Sequence, residues 1–233
     1  MKERIINLIK LLSILFIFFN IGYIISFIFL KLGFNLEDFS STGAAYADAL
    51  ISIILFLLIL SLYYKSFKND YTEFKINLNK NIKKCFILFG VLLLVKLGAS
   101  VITSILAEIL KVDFAQSDNQ NLLEGLIKVV PIMMIISSVI IAPVIEEGIF
   151  RLGFRKVIKN PTIYVLISGL IFGVMHVFPT EHSLVLAILQ SVIYVSLGVA
   201  LACIYLKEKN IYFVIIPHAL NNLLGIVAAL IFL

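Results

Sequence analysis

Charged residues are scarce in this chain of 233 residues, and their scarcity indicates its class. Only 14% of the residues are Asp, Glu, Lys or Arg, whereas 61% are hydrophobic. Soluble domains are about half apolar and about a quarter charged. Too little polar sequence remains for a separate soluble domain, so we expect one integral membrane domain over residues 1–233.

Cysteine is nearly absent, and no internal repeat is evident. Cys85 and Cys203 are far apart, and neither belongs to a CxxC motif. This spacing excludes a disulfide framework and a cysteine-based zinc site, so both residues are expected to be small packing side chains. The missing repeat argues against the transporters that are built from inverted repeats.

Long apolar stretches are what the chain does have. A helix needs about 20 apolar residues to cross a bilayer. Seven candidates lie at residues 5–33, 47–64, 85–110, 126–150, 162–178, 184–206 and 211–232. The first is longer than the apolar part of a signal peptide, so we expect an uncleaved first span. The sequence therefore predicts an all-α, polytopic membrane bundle of about seven transmembrane helices.

The connections between these stretches alternate in charge. Basic residues mark the N-terminal flank (Lys2, Arg4, Lys10), residues 65–84, residues 151–159, and the pair Lys207 and Lys209. The other connections hold Glu37, Asp38 and Asp48, then Asp113, Asp118 and Glu124, then Glu181 and His182. The positive-inside rule then predicts an internal N-terminus in a multi-pass membrane protein. Heavy use of lysine, isoleucine and asparagine indicates an AT-rich bacterial genome, so the membrane is expected to be a bacterial cytoplasmic membrane. The net charge of +5 fits this orientation and a lipid partner rather than nucleic acid.

The fourth stretch ends in IAPVIEEGIFR, residues 141–151. A charge within a span costs at least ~2.5–3.5 kcal/mol, so it usually faces a cavity or another charge. Pro143 has no N–H to donate, which predicts a kink before the glutamates. Glu147 and Arg151 are four apart and can pair, whereas Glu146 points about 100° away. Either the glutamates merely end a helix near the headgroups, or Glu146 is free for proton chemistry.

Three further polar residues lie in later stretches. His176 is in the fifth, and His218 and Asn222 lie four apart on one face of the seventh. Singly, each is explained as a core histidine or as polar glue between helices. At ~1.5 Å per residue, His176 lies ~21 Å and His218 ~10 Å from the inner end of its helix. Either tilted helices, or a fifth span that starts outside the core with residues 151–161 at the interface, would bring the two level. If they converge on Glu146, they supply a base, a second proton carrier and oxyanion donors.

These motifs, in this order, resemble those of the CPBP family, the CAAX-protease and bacteriocin-processing intramembrane proteases, also called the Abi family. They are Glu146-Glu147-x-x-x-Arg151, Phe172-x-x-x-His176 and His218-x-x-x-Asn222. The resemblance covers residues 125–233, a catalytic core, and leaves residues 1–124 as a three-helix N-terminal part.

The resemblance implies a membrane endopeptidase and assigns roles to the motif residues. Glu146 and His176 would activate a water, and His218 and Asn222 would hold the oxyanion. Glu147, Arg151 and Phe172 would support the site. The implied substrate is a peptide or membrane protein with an apolar segment.

Two questions stay open at this level. Glu146, His176 and His218 could together ligate zinc, but the motifs are not HExxH, and a mechanism without a cofactor is favoured. The same fold could also serve as a non-enzymatic bacteriocin-immunity protein or membrane scaffold. An ion path is a third alternative, which the missing repeat disfavours.

Overall fold

The computed structural model describes residues 2–32, 41–112, 125–128, 130–177 and 183–232, and these contain helices and no strand. Apart from a helical turn at residues 125–128, the described residues form eight helices: α1 (Lys2–Lys31), α2 (Ser41–Leu62), α3 (Tyr64–Ile76), α4 (Leu78–Leu110), α5 (Pro131–Val157), α6 (Pro161–Val177), α7 (Leu184–Glu208) and α8 (Tyr212–Phe232). The predicted all-α bundle is confirmed. The division into residues 1–124 and 125–233 stays a prediction.

Not all of these helices are long enough to cross a bilayer alone. By length and composition α1, α4, α5, α7 and α8 qualify among the described residues. A sixth candidate pairs residues Tyr46–Leu62 of α2 with α3, which bends away by 79°. The predicted fifth span is α6, an apolar helix of 17 residues, about 26 Å at ~1.5 Å per residue against a hydrocarbon core of ~30 Å.

The bounds of α5 differ from the predicted span 126–150. The helix begins at Pro131, because a missing N–H costs nothing at the first helical position. It runs on to Val157, so Arg151 is a fully buried residue of the helix and not part of a basic loop. The prediction ended the span at the first cation, but a helix passes a charge that is paired inside the bundle.

Two wide π-helical turns flank the glutamates in α5, at Ser137–Ile141 and Gly148–Gly153. In the first, the N–H of Ala142 reaches back five residues to the carbonyl of Ser137. Pro143 follows directly, where a kink was predicted. A π turn accommodates the missing N–H of proline, so α5 continues as one helix.

The basic connections meet at one end of the bundle, as the predicted alternation requires. Polar contacts join them: Lys156 Nζ donates to Ser66 Oγ (3.1 Å), and Lys84 pairs with Glu208. Asp70 accepts from Asn210 Nδ2 at its carbonyl (2.7 Å) and from the N–H of Ile211 at its carboxylate (2.8 Å). Residues Glu37, Asp38, Asp113, Asp118, Glu124, Glu181 and His182 lie outside the described residues. The internal N-terminus stays a prediction.

Helices α6 and α7 touch through glycines. A Cβ at Gly169 would lie 2.8 Å from the amide nitrogen of Val199, and one at Gly173 would lie 2.7 Å from Cα of Val195. Small residues four apart let membrane helices approach at backbone distance. The signal was present in the sequence as Gly169-x-x-x-Gly173, and the contact holds the end of α6, with His176, against α7.

Candidate active site

Glu147 is a fully buried carboxylate with two partners, an arginine and a histidine. Its Oε2 accepts a hydrogen bond from Arg151 Nε at 2.7 Å, which is the predicted ion pair within α5. Its Oε1 accepts from His218 Nδ1 at 2.9 Å, so it also binds α8. Because Nδ1 of His218 donates, its Nε2 is directed elsewhere in the site.

Arg151 is held by α6 as well. Its Nη1 donates to Ser168 Oγ at 2.5 Å, and that hydroxyl donates in turn to the carbonyl of Phe150 at 3.0 Å. Its guanidinium carbon lies 5.4 Å from the ring centre of Phe172, a cation–π distance. A charge with no access to water needs such partners, and the sequence alone identified Glu147 but not Ser168.

Glu146 has a different environment from Glu147, although the two are adjacent in sequence. Its side chain retains 12% of its exposure. Its Oε2 lies 3.5 Å from His176 Nε2 and 3.7 Å from His218 Nε2. Both distances exceed ordinary hydrogen-bond length, and this buried oxygen has no hydrogen-bond partner among the described residues. The structure thus brings together three of the four predicted catalytic side chains, from α5, α6 and α8.

His176 is oriented by its neighbours. Its Nδ1 donates to the carbonyl of Phe172 at 2.7 Å, which leaves the lone pair of a neutral imidazole on Nε2, the nitrogen nearest to Glu146. Its ring centre lies 4.4 Å from that of Phe172. Tyr194 lies 5.2 Å from His176 between ring centres, and the Tyr194 and His176 rings are inclined by only 17°. Tyr194 was not predicted from the sequence, where its signal was the polar pair Gln190 and Tyr194, four apart in an apolar helix.

Asn222 lies against the first π turn of α5. Its Nδ2 donates to the carbonyl of Ser138 at 2.9 Å, and its Oδ1 accepts from Asn221 Nδ2 at 3.2 Å. In π spacing the donor for Ser138 would be the N–H of Pro143, which proline lacks. Asn222 therefore supplies a hydrogen bond that the helix cannot make, and its other amide hydrogen remains for a second acceptor.

The donor set does not fit a metal ion. The zinc alternative requires Glu146, His176 and His218 as ligands. Across the described ranges, no group of three His, Cys, Asp or Glu side chains has an arrangement that could hold a metal. The proposed mechanism uses side chains and water alone, and the chelator experiment tests the zinc alternative.

Comparisons with known proteins agree with the motifs. The family model described as "Type II CAAX prenyl endopeptidase Rce1-like" matches residues 128–224. The UPF0177 protein YvdC of Lactococcus lactis is 31% identical over 206 residues, 84% of this chain and 74% of that protein. A Bacillus subtilis protein named "Putative membrane peptidase YdiL" is 32% identical over 110 residues, 46% of this chain and 41% of that protein. No solved structure matches the chain.

Proposed function

The chain belongs to the CPBP family, the CAAX-type membrane proteases, and on that premise we propose that it is an intramembrane endopeptidase. Its substrate would be a membrane-associated peptide or protein with an apolar segment. The observation that carries the proposal is the buried Oε2 of Glu146, which faces two imidazole nitrogens and has no hydrogen-bond partner in the part of the chain that the structure describes.

The attacking water would be bound by Glu146 and His176. A water between Oε2 and Nε2 of His176 can donate one hydrogen to each, because both atoms are acceptors. Two acceptors hold the water oxygen with a lone pair free for the scissile carbonyl carbon. General-base assistance of this kind contributes typically 10²–10⁴-fold to rate.

His218 would stabilise the oxyanion. Doubly protonated, it donates from Nδ1 to Glu147, as observed, and from Nε2 to the substrate oxygen. The carboxylate of Glu147 stabilises that imidazolium. Because Glu147 is also paired with Arg151, the imidazolium adds one positive charge to the site, which the carboxylate of Glu146 offsets. The free amide hydrogen of Asn222 is the second predicted donor, and one such donor contributes about 10²–10³-fold.

The reaction balances with these groups alone. The water oxygen bonds to the carbonyl carbon, and its proton passes to Glu146. The C–N bond of the tetrahedral intermediate then breaks, and Glu146 returns the proton to the leaving amine nitrogen. The products are a carboxylic acid and an amine, with Glu146 restored.

Cleavage by the purified full-length protein in liposomes tests this proposal. A panel of membrane-anchored peptides is incubated with wild type, Glu146→Gln and His176→Ala, each with and without a strong chelator. We expect product from wild type, loss of about 10²–10⁴-fold in both variants, and no effect of chelator. The exposed Glu73 of α3 gives the control Glu73→Gln, which should cleave at the wild-type rate.

Three outcomes would contradict the proposal. Equal product from wild type and both variants would show that these residues do not act in catalysis. Activity lost with chelator and restored by zinc would demand a metal mechanism. Cleavage of none of the panel would favour the non-enzymatic immunity or scaffold role.

A further inference from the structure

We propose that Tyr194 is a positioning residue for His176, whose ring fixes the plane of the imidazole so that Nε2 faces Glu146. The inference rests on the proposed function for its catalytic consequence. Its structural part concerns only the orientation of one imidazole and can be tested without a substrate.

His176 needs such a contact because of its place in the fold. It is the next-to-last residue of α6, so its own helix holds the side chain mainly through the turn that precedes it. The hydrogen bond from Nδ1 to the carbonyl of Phe172 restrains one edge of the ring. The ring can still rotate about the axis of that single hydrogen bond. A planar neighbour restrains that rotation, since an offset-stacked pair of aromatic rings is more stable than its buried area alone accounts for.

Tyr194 supplies that plane from a second helix. Its ring is inclined by 17° to the imidazole, with 5.2 Å between centres. Phe172 contacts the same imidazole at 4.4 Å but is tilted by 35°. The nearly parallel ring is therefore the one from α7, and it links the orientation of His176 to the packing of α7 on α6.

The backbone contact between the two helices sets this arrangement. Gly173 lies three residues before His176, and Val195 follows Tyr194 directly. A Cβ at Gly173 would lie 2.7 Å from Cα of Val195, so the backbones touch beside the two rings. The glycine contact and the stacked rings form one unit, which explains why a tyrosine at this position reaches His176 and not lipid.

Two substitutions separate the ring from the hydroxyl. Tyr194→Phe keeps the stacking plane, whereas Tyr194→Leu keeps apolar volume without it. We expect Tyr194→Leu to lower kcat roughly ten- to a hundredfold, as a misplaced catalytic group does, with KM little changed. Tyr194→Phe should retain most of kcat. Tyr205 is a half-buried tyrosine on the same helix. Tyr205→Leu is therefore the matched control and should leave kcat unchanged.

A spectroscopic measurement tests the orientation independently of proteolysis. The chain has three histidines, so nitrogen-15 labelling of histidine gives few imidazole signals, which His→Gln variants assign. We expect the wild type and Tyr194→Phe to show one His176 tautomer with hydrogen on Nδ1. Tyr194→Leu should show a tautomer mixture or exchange broadening at His176 alone, with His218 unchanged.

The outcomes distinguish the two proposals. If no peptide is cleaved but His176 loses its single tautomer only in Tyr194→Leu, the positioning role stands and the proposed function fails. A single His176 tautomer and unchanged kcat in Tyr194→Leu would overturn the positioning role. Equal losses in Tyr194→Phe and Tyr194→Leu, or equal changes at His218, would also overturn it, because they would point to the hydroxyl or to general loss of packing.

Discussion

Glu146 and Glu147 are adjacent in sequence, yet they belong to two different regions of the molecule. The closed side of α5, formed by Glu147 with Arg151, Ser168 and His218, excludes solvent almost entirely and connects its charges by hydrogen bonds of 2.5–2.9 Å. The open side, formed by Glu146 and His176, keeps 12–17% of its side-chain exposure and contacts of 3.5 Å. Buried charges that are hydrogen-bonded to one another contribute to stability. An acceptor without such a partner, beside an imidazole, is available to a reactant.

Removing the cation of the closed side should have the largest effect on stability. Arg151→Met leaves Glu147 buried with one partner fewer, and breaking a buried pair costs about 3–5 kcal/mol. Glu146→Gln on the open side keeps the size of the side chain, and Oε2 has no hydrogen bond to lose among the described residues, so it should cost less, about 1 kcal/mol. Unfolding in detergent micelles measures both. Equal destabilisation by the two substitutions would show that the two sides do not differ in this way.

Removing one hydroxyl of the closed side should have a smaller effect. Ser168→Ala deletes the acceptor for Arg151 Nη1 and the donor to Phe150, and a hydrogen bond to a charged group contributes about 1.5–3 kcal/mol. The control is Ser191→Ala, whose hydroxyl bonds only to the carbonyl of Ile188 in its own helix. Unfolding by denaturant should separate the two variants. A Ser191→Ala loss as large as that of Ser168→Ala would contradict the assignment.

Adding one methyl group at Gly148, the residue after Glu147 of the closed side, should have the smallest effect. A Cβ at Gly148 would collide with Cγ2 of the buried Ile59 and approach Phe67 Cζ at 3.7 Å. Overpacking of this kind costs about 1–3 kcal/mol. At Gly225 on α8 a Cβ meets nothing within 4 Å, so Gly225→Ala should raise the free energy of unfolding by about 0.5–1 kcal/mol. Melting temperatures that move in the same direction for both alanines would refute the packing difference.

Sequence periodicity predicted what lies along one helix. The Glu147–Arg151 pair followed from a spacing of four, and the apolar runs located the helices. The end of α5 was wrong because Arg151 was treated as exposed, and its burial depends on Ser168 and Phe172 of another helix. Local spacing carries no information on such a partner.

Contacts between helices were a conditional inference from the polar residues, and the family resemblance made them an expectation. The motifs implied that His176 and His218 meet Glu146, and the structure brings them within 3.5–3.7 Å. Asn222 was assigned to the oxyanion, but the structure also binds it to Ser138. That partner depends on the π spacing before Pro143, which apolar periodicity does not reveal. The roles of all four residues in catalysis stay predictions.

The two π turns of α5 have a consequence for how the chain can change in length. A π turn takes up one more residue than the α-helical turn it replaces. One residue could therefore be deleted from Ser137–Ile141 or from Gly148–Gly153, and the turn could close to ordinary α spacing while the helix on either side keeps its lipid-facing and protein-facing sides. Elsewhere in α5, a deletion would rotate everything beyond it by about 100°. Homologous chains that differ by one residue here can thus present the glutamates to the same neighbours.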